Sequence, residues 1–302
     1  MSASAPKTII AFGELLWDIF PTGEVLGGAP ANFAYRINSL GHDGWLVTRL
    51  GKDNRGQRAA DLVRANGMSL NYVQWDDTHP TGTVPVKLDA AGSPNFKILP
   101  NVAYDHIEVT EPLLALAAMA DCLCFGTLIQ RAETSRRTLY SIIDAAPKAL
   151  KVLDLNLRKD CYTQETIAAS LERADILKLN ESEAEILAHL FNLPDTFASF
   201  APAAVKHWNL TTCIVTLGEK GVVAANNKNE FIQRPGHKIK VLDTVGAGDA
   251  FTAGFIHCHL ENHPLAYACD FANALGALVA QTRGGTTPIQ LAEIKPLAGI
   301  SD

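Results

Sequence analysis

Toward its C-terminal end the chain reads Asp243-Thr-Val-Gly-Ala-Gly-Asp-Ala-Phe251, two carboxylates and two glycines just ahead of an apolar, helix-like run. Gly246 and Gly248 let the backbone turn tightly and aim several N–H groups at one point. A helix starting there adds the positive end of its dipole, so the loop can hold a phosphate-like anion without a side-chain cation. Asp249 stands at the mouth of that helix. It could take a proton from a hydroxyl attacking the anion, a contribution worth roughly 10²–10⁴-fold. The ordinary structural alternative is a helix cap. The stretch is no dinucleotide fingerprint, because "GAGDAF" lacks the third glycine, and no G-x-x-x-x-G-K-[ST] loop occurs anywhere.

Four other groups carry possible chemistry. Asp18 follows the first strand, and Gly27-Gly28 open the next helix with Asn32 inside its first turns. Two glycines and an amide would give a hydroxyl-rich ligand close backbone access plus a donor and an acceptor. In Asp154-Leu-Asn156-Leu-Arg158 a period of two puts three polar side chains on one face of a strand end, where open α/β sheets bind ligands. Asn180 and Glu183 form a near capping box, and could alternatively position hydrated magnesium beside a triphosphate. "TLGEKG" (216–221) is a glycine-punctuated turn, either an ordinary hairpin or a turn lying against a nucleotide.

The elements that must position these residues alternate. "TIIAFG" (8–13), "GWLVTRLG" (44–51), "ADCLCFG", "ALKVLDLN", "ADILKLN" and "TTCIVTLG" read as short buried strands, with helical segments such as 27–41 and 54–67 between them. "HKIKVLDTV" (237–245) also reads as a strand and its exit. The rhythm predicts an α/β fold, a doubly wound and mostly parallel sheet with helices on both faces. Residues 81–99 break it, alternating polar and apolar around a turn at 89–92. That hairpin, joined by 15–20, predicts a small separate sheet able to close over a site or to pair with a second copy.

A net charge of −6 on 302 residues argues against a nucleic-acid partner, so an anionic substrate would need a local positive site. The longest nearly apolar run, 113–120, is far short of a membrane span, and "MSASAPKTII" has no secretory pattern. Six scattered cysteines without C-x-x-C spacing read as reduced, buried thiols. A cytoplasmic protein is expected.

Taken in order, "GGAPANFA", "NESE", "TLGEKG" and "DTVGAGDAF" resemble the ribokinase-like (PfkB) carbohydrate kinases over essentially the whole chain. The resemblance implies a single kinase domain over 1–302 with a β-sheet lid from about 14–28 and 80–104, and phosphoryl transfer from ATP to a sugar hydroxyl. It implies Asp249 as catalytic base, with Gly246, Ala247 and Gly248 as the anion hole. Asp18, Gly28, Asn32, Arg158 and, by an approximate alignment, Gln130 would contact the sugar. Asn180 and Glu183 would organise Mg2+ through water, while Thr216, Gly218, Gly221 and Asn273 would border the nucleotide. Asp243 and Val245, with the 282–287 loop, resemble segments that hold a monovalent cation, usually K+. "GELLWDIFP", "GGAPANFA" and "DLNLR" are most similar to fructokinases. Ala29-Pro30, where ribokinases usually carry Lys-Gly, departs from a ribose site. A 2-keto-3-deoxygluconate kinase is the nearest alternative, since Arg158 could pair with a carboxylate. A catalytically silent sugar binder has less support, because a pure binder has no need of the base. A lid-to-lid homodimer is expected from the hairpin's apolar face.

Overall fold

The computed structural model describes residues 5–88 and 94–300, leaving aside the side chains of 86–88 and 94–96. The turn expected at 89–92 lies outside the described residues. Strands are β1 (Thr8–Phe12), β2 (Leu16–Phe20), β3 (Gly23–Gly27), β4 (Asp43–Gly51), β5 (Val73–Asp76), β6 (Gly82–Leu88), β7 (Pro94–Phe96), β8 (Cys122–Phe125), β9 (Leu150–Asp154), β10 (Ile176–Asn180), β11 (Thr212–Thr216), β12 (Val222–Asn226) and β13 (Phe231–Arg234). Helices are α1 (Ala29–Ser39), α2 (Asn54–Ala65), α3 (Glu111–Met119), α4 (Glu133–Ala145), α5 (Gln164–Leu171), α6 (Glu181–Phe191), α7 (Phe197–His207), α8 (Ala247–Leu260), α9 (Leu265–Ala280) and α10 (Leu291–Ala298).

The large sheet runs β13-β12-β11-β10-β9-β8-β1-β4-β5 and is parallel from β11 to β5, with β12 and β13 antiparallel at one edge. Its strands alternate between two cores. Ile9 and Ala11 pack with α1, α8 and α9 on one face, and Ile10 and Phe12 with α4 to α7 on the other. Burial on both faces is why these runs are continuously apolar. Chain order moves away from β1 in both directions, to β4 and β5 on one side and to β8 through β11 on the other. The sheet's switch point therefore lies between β1 and β8, where a crevice opens beyond the carboxyl ends of the strands.

The interval at 81–99 does form a separate sheet, β3-β2-β6-β7. Residues 16–20 join it as a central strand, pairing parallel with β6 and antiparallel with β3. Trp17 anchors it, 2% exposed, donating its indole N–H to the Arg55 carbonyl while Arg58 stacks on the ring. Glu24 adds ion pairs to Arg55 and Arg58. These are exposed pairs and contribute little.

Two local expectations are corrected. Residues 237–245 are not a strand but an irregular run, with Val241 and Leu242 exposed. β9 ends at Asp154 and Asn156 adopts φ +46°, so period two stops before it reaches Asn156 and Arg158. All six cysteines are buried and free. No helix among the described residues is long and apolar enough to cross a membrane.

Candidate active site

The centre of the site is the start of α8. Gly246 caps it at φ +76°, a left-handed conformation that glycine enters freely. A side chain there would also collide with the Gly285 backbone. The Ala247 N–H closes the preceding turn on the Thr244 carbonyl, so the first turn of α8 presents the N–H groups of Gly248 and Asp249 along the axis. Asp249 sits in that turn and accepts a hydrogen bond from Asn32 Nδ2 at 2.8 Å. The bond links the starts of α1 and α8 across 217 residues of chain.

Burial pushes the Asp249 carboxyl up to about 6, and the nearby Asp154 adds to this. The Asn32 bond, Lys178 and Arg158 oppose the shift. At pH 7 the group is mostly ionised yet close enough to neutrality to exchange a proton, as a general base requires.

Behind Asp249 lies a charged network that the sequence reading missed. Lys178 on β10 donates to both Asp154 oxygens at 3.0 and 3.2 Å, and Thr252 of α8 donates to Asp154 at 2.7 Å. Burial would pull the Lys178 ammonium down, but Asp154, Glu183 and Asp249 outweigh it and leave it above the usual lysine range. Asp154 neutralises that charge, so Lys178 chiefly offsets the carboxylates gathered beneath the helix start. A Cβ at Gly248 would lie 3.3 Å from Lys178 Nζ, which puts the cation next to the helix start. Removing one partner of a buried pair strands the other. Lys178→Met is therefore expected to cost about 3–5 kcal/mol in urea unfolding, well above the loss of an exposed pair such as Lys220–Glu181.

The crevice at the switch point is lined by Glu14 after β1, Pro30 and Phe33 of α1, Gly126 and Thr127 after β8, with Asp154 and Asp249 at its floor. Gly28, at φ +132°, has no room for a side chain against the Glu14 backbone, so α1 can start hard against the strand exit. Asp18 of β2 reaches toward the same end. Burial raises its carboxyl and Arg158 counters this. Arg158 is exposed, and its charge acts on Glu14, Asp18 and Asp249 alike. Glu14 was also missed. It is 6% exposed, and burial pushes it up to about 7 against backbone hydrogen bonds and Arg158. A carboxylate directly after a buried apolar strand, in "AFGELL", was the available signal.

Gln130 is corrected. It is fully buried, donates to the Gly126 carbonyl at 2.9 Å and to Ser170 at 2.8 Å, and accepts from Ser170. It braces the Gly126 loop from behind and does not face the crevice.

The remaining residues gather at the carboxyl ends of β10 and β11. Asn180 and Glu183 complete a capping box: Asn180 Oδ1 accepts the Glu183 N–H at 3.0 Å and Glu183 returns the bond at 2.9 Å. The second Glu183 oxygen accepts the Leu157 N–H, fixing the loop that carries Arg158. Thr216 ends β11, and Gly218 and Gly221 frame the tight turn into β12. Gly221 packs on the Arg234–Gly236 backbone, where Asn273 of α9 donates to the Pro235 carbonyl. Asp243 accepts from Val245 N at 3.0 Å and Gly284 N at 2.9 Å, clasping the 243–245 turn to the 282–287 loop.

One cluster with metal-binding residue types occurs elsewhere among the described residues, His42, His257 and Glu261. His42 Nδ1 accepts the Lys7 N–H, which leaves the ring proton on Nε2 to donate to His257. The pair is a closed hydrogen-bonded chain at the amino end of β4, away from the crevice.

The family model described as pfkB family carbohydrate kinase matches residues 4–292. A fructokinase from Klebsiella pneumoniae is 30% identical over 300 residues, spanning 93% of this chain and 95% of its own length. Among solved structures, a sugar kinase from Pyrococcus horikoshii in complex with ATP matches with a TM-score of 0.81 at 27% identity, over 96% of this chain and 99% of its own. A fructokinase from Vibrio cholerae with fructose, ADP and calcium bound gives 0.79 at 25% identity, over 94% and 96%. This chain belongs to the pfkB family of carbohydrate kinases, and is a sugar kinase.

Proposed function

We propose that the chain transfers the terminal phosphoryl group of ATP to a hydroxyl of fructose, giving fructose 6-phosphate and ADP. The observation that carries this reading is Asp249, held by Asn32 in the first turn of α8 and lining the crevice. Asp249 takes the hydroxyl proton as the sugar oxygen bonds to phosphorus. The bond from phosphorus to the bridging oxygen breaks, and ADP leaves with that electron pair. The N–H groups of Gly246 and Gly248 and the α8 dipole serve the charge that spreads over the transferred group, while the Ala247 N–H stays bonded to the Thr244 carbonyl. Asp18, Gly28 and Asn32 hold the sugar, with Glu14 as an added contact from the crevice wall. Thr216, Gly218, Gly221 and Asn273 border the nucleotide.

Glu183 gives one hydrogen bond's worth of each oxygen to the backbone and keeps lone pairs for water, which fits hydrated Mg2+ held at second hand by Asn180 and Glu183. That ion would offset phosphate charge when bound. Asp243, whose two carboxylate oxygens accept from the Val245 and Gly284 N–H groups, brings together the 243–245 turn and the 282–287 loop, the segments that would hold a hard monovalent cation such as K+.

The names of the relatives favour fructose. Arg158, whose charge reaches Glu14, Asp18 and Asp249, favours a sugar acid such as 2-keto-3-deoxygluconate as the second reading. A coupled assay of ADP release with each candidate sugar decides between them: turnover on fructose is expected. Turnover on 2-keto-3-deoxygluconate alone would move the substrate and keep the chemistry.

The small sheet acts as a lid that excludes water from the transfer. Val25, 49% exposed on β3, supports pairing of two such lids in a homodimer. Sedimentation at micromolar concentration should give twice the chain mass, and a monomer there would remove the dimer.

A further inference from the structure

Arg36 is 1% exposed, the largest fully buried side chain among the described residues. No carboxylate accepts from it there. Its Nη2 donates to the carbonyls of Gly285 at 3.2 Å and Thr287 at 3.0 Å, and its Nε has no hydrogen-bond partner among the described residues. A buried cation compensated by two carbonyl dipoles and the Tyr35 ring, 5.2 Å from its guanidinium carbon, with no carboxylate bonded to it, is expensive and needs a reason beyond packing.

The reason lies in what it holds. Arg36 is one helical turn beyond Asn32 on α1, so both side chains lie on the same face. Gly285 is wedged between them and α8. A Cβ on Gly285 would fall 2.6 Å from the Asn32 amide, and one on Gly246 would strike the Gly285 Cα. At its other end the same loop is tied by Gly284 N to Asp243. The loop thus runs across the cap of α8, with a fixed guanidinium behind it and the phosphate-facing N–H groups in front.

We propose that Arg36 is a positioning residue of the phosphate site, a permanent cation that orders the 285–287 loop against Gly246 and makes this chain only partly dependent on a monovalent cation. This rests on the kinase reading above. With Arg36 present, its guanidinium and the Asp243–Gly284 hydrogen bond both hold the loop, so losing the mobile cation leaves these ties in place. With Arg36 gone, only the Asp243 end is tied, and order at the helix cap depends more strongly on the ion.

The test is calorimetric ADP binding with Mg2+, in about 100 mM KCl or choline chloride, where screening is matched. For the wild type the two salts should differ by less than about threefold. Arg36→Met should bind ADP about tenfold or more weakly in choline, the scale of a lost charged hydrogen bond, and recover most of this in KCl. Fructose affinity should stay within about threefold of wild type. The thermal midpoint of the variant should rise with KCl more than that of the wild type. Arg36→Lys, which keeps the charge but not the longer planar guanidinium whose Nη2 reaches both carbonyls, should fall between the two. It also serves as the test variant if Arg36→Met does not fold. A folded variant that binds ADP like the wild type in both salts would overturn the proposal. So would equal losses for ADP and fructose with no response to KCl, the mark of a merely structural residue. Wild-type protein without ADP affinity would instead remove the kinase reading, and the proposal with it.

Discussion

Asp249→Asn is expected to lower kcat at least ~10³-fold while the sugar KM changes only a few-fold. The substitution is nearly isosteric, and the amide oxygen can still accept the 2.8 Å bond from Asn32, so geometry is kept and basicity is lost. Glu14, the other raised carboxyl lining the crevice, is the only alternative proton acceptor among the described residues that line it with a titration near neutrality. If the Asn variant kept near-normal turnover while Glu14→Gln did not, the base would be Glu14 and the two carboxyls would exchange roles. Steady-state kinetics of the two variants side by side separate these outcomes.

Gly246→Ala should have the second largest effect. It places a side chain at φ +76° and drives it into Gly285, a backbone contact that cannot swing aside. The left-handed conformation alone costs roughly 1–2 kcal/mol. The larger consequence is displacement of the N–H groups at the helix cap, and losing an oxyanion donor costs about 10²–10³ in rate. Gly248→Ala is the matched control. Its Cβ would meet only the end of Lys178 at 3.3 Å, and the N–H stays in place, so kcat/KM should fall less than about tenfold. Equal losses at both positions would mean that the glycines serve packing and not the anion site.

These effects fall on residues that were legible in the sequence for different reasons. Asp249 and Gly246 were legible because local spacing fixes the geometry of a glycine-rich helix start, and because "DTVGAGDAF" follows "NESE" and "TLGEKG" in order, which a mere helix cap does not require. The strand runs were legible because burial on both faces leaves no polar positions. Asp154, Asn156 and Arg158 were read as one strand face because period two holds only while the chain is extended, and Asn156 turns left-handed after β9 has ended. Gln130 illustrates the opposite limit. The resemblance to the family suggested a sugar contact there, but Ser170, forty residues away, satisfies it inside the protein. Lys178, on an apolar strand, could not be recognised without Asp154 and Thr252, which reach it from other elements. Arg36 carries no such signal in the sequence, since its meaning depends on a loop 249 residues distant.

The measurement that bears most directly on the proton transfer is the pH dependence of kcat/KM for fructose in the wild type, from about pH 5 to 9. A raised carboxyl is protonated below its pKa and cannot accept a proton, so activity should fall as pH drops. The expected acid limb has an apparent pKa near the value of about 6 to which burial pushes Asp249. Turnover that stays flat down to pH 5, or a protein that makes no ADP with fructose at any pH, would contradict Asp249 as the base.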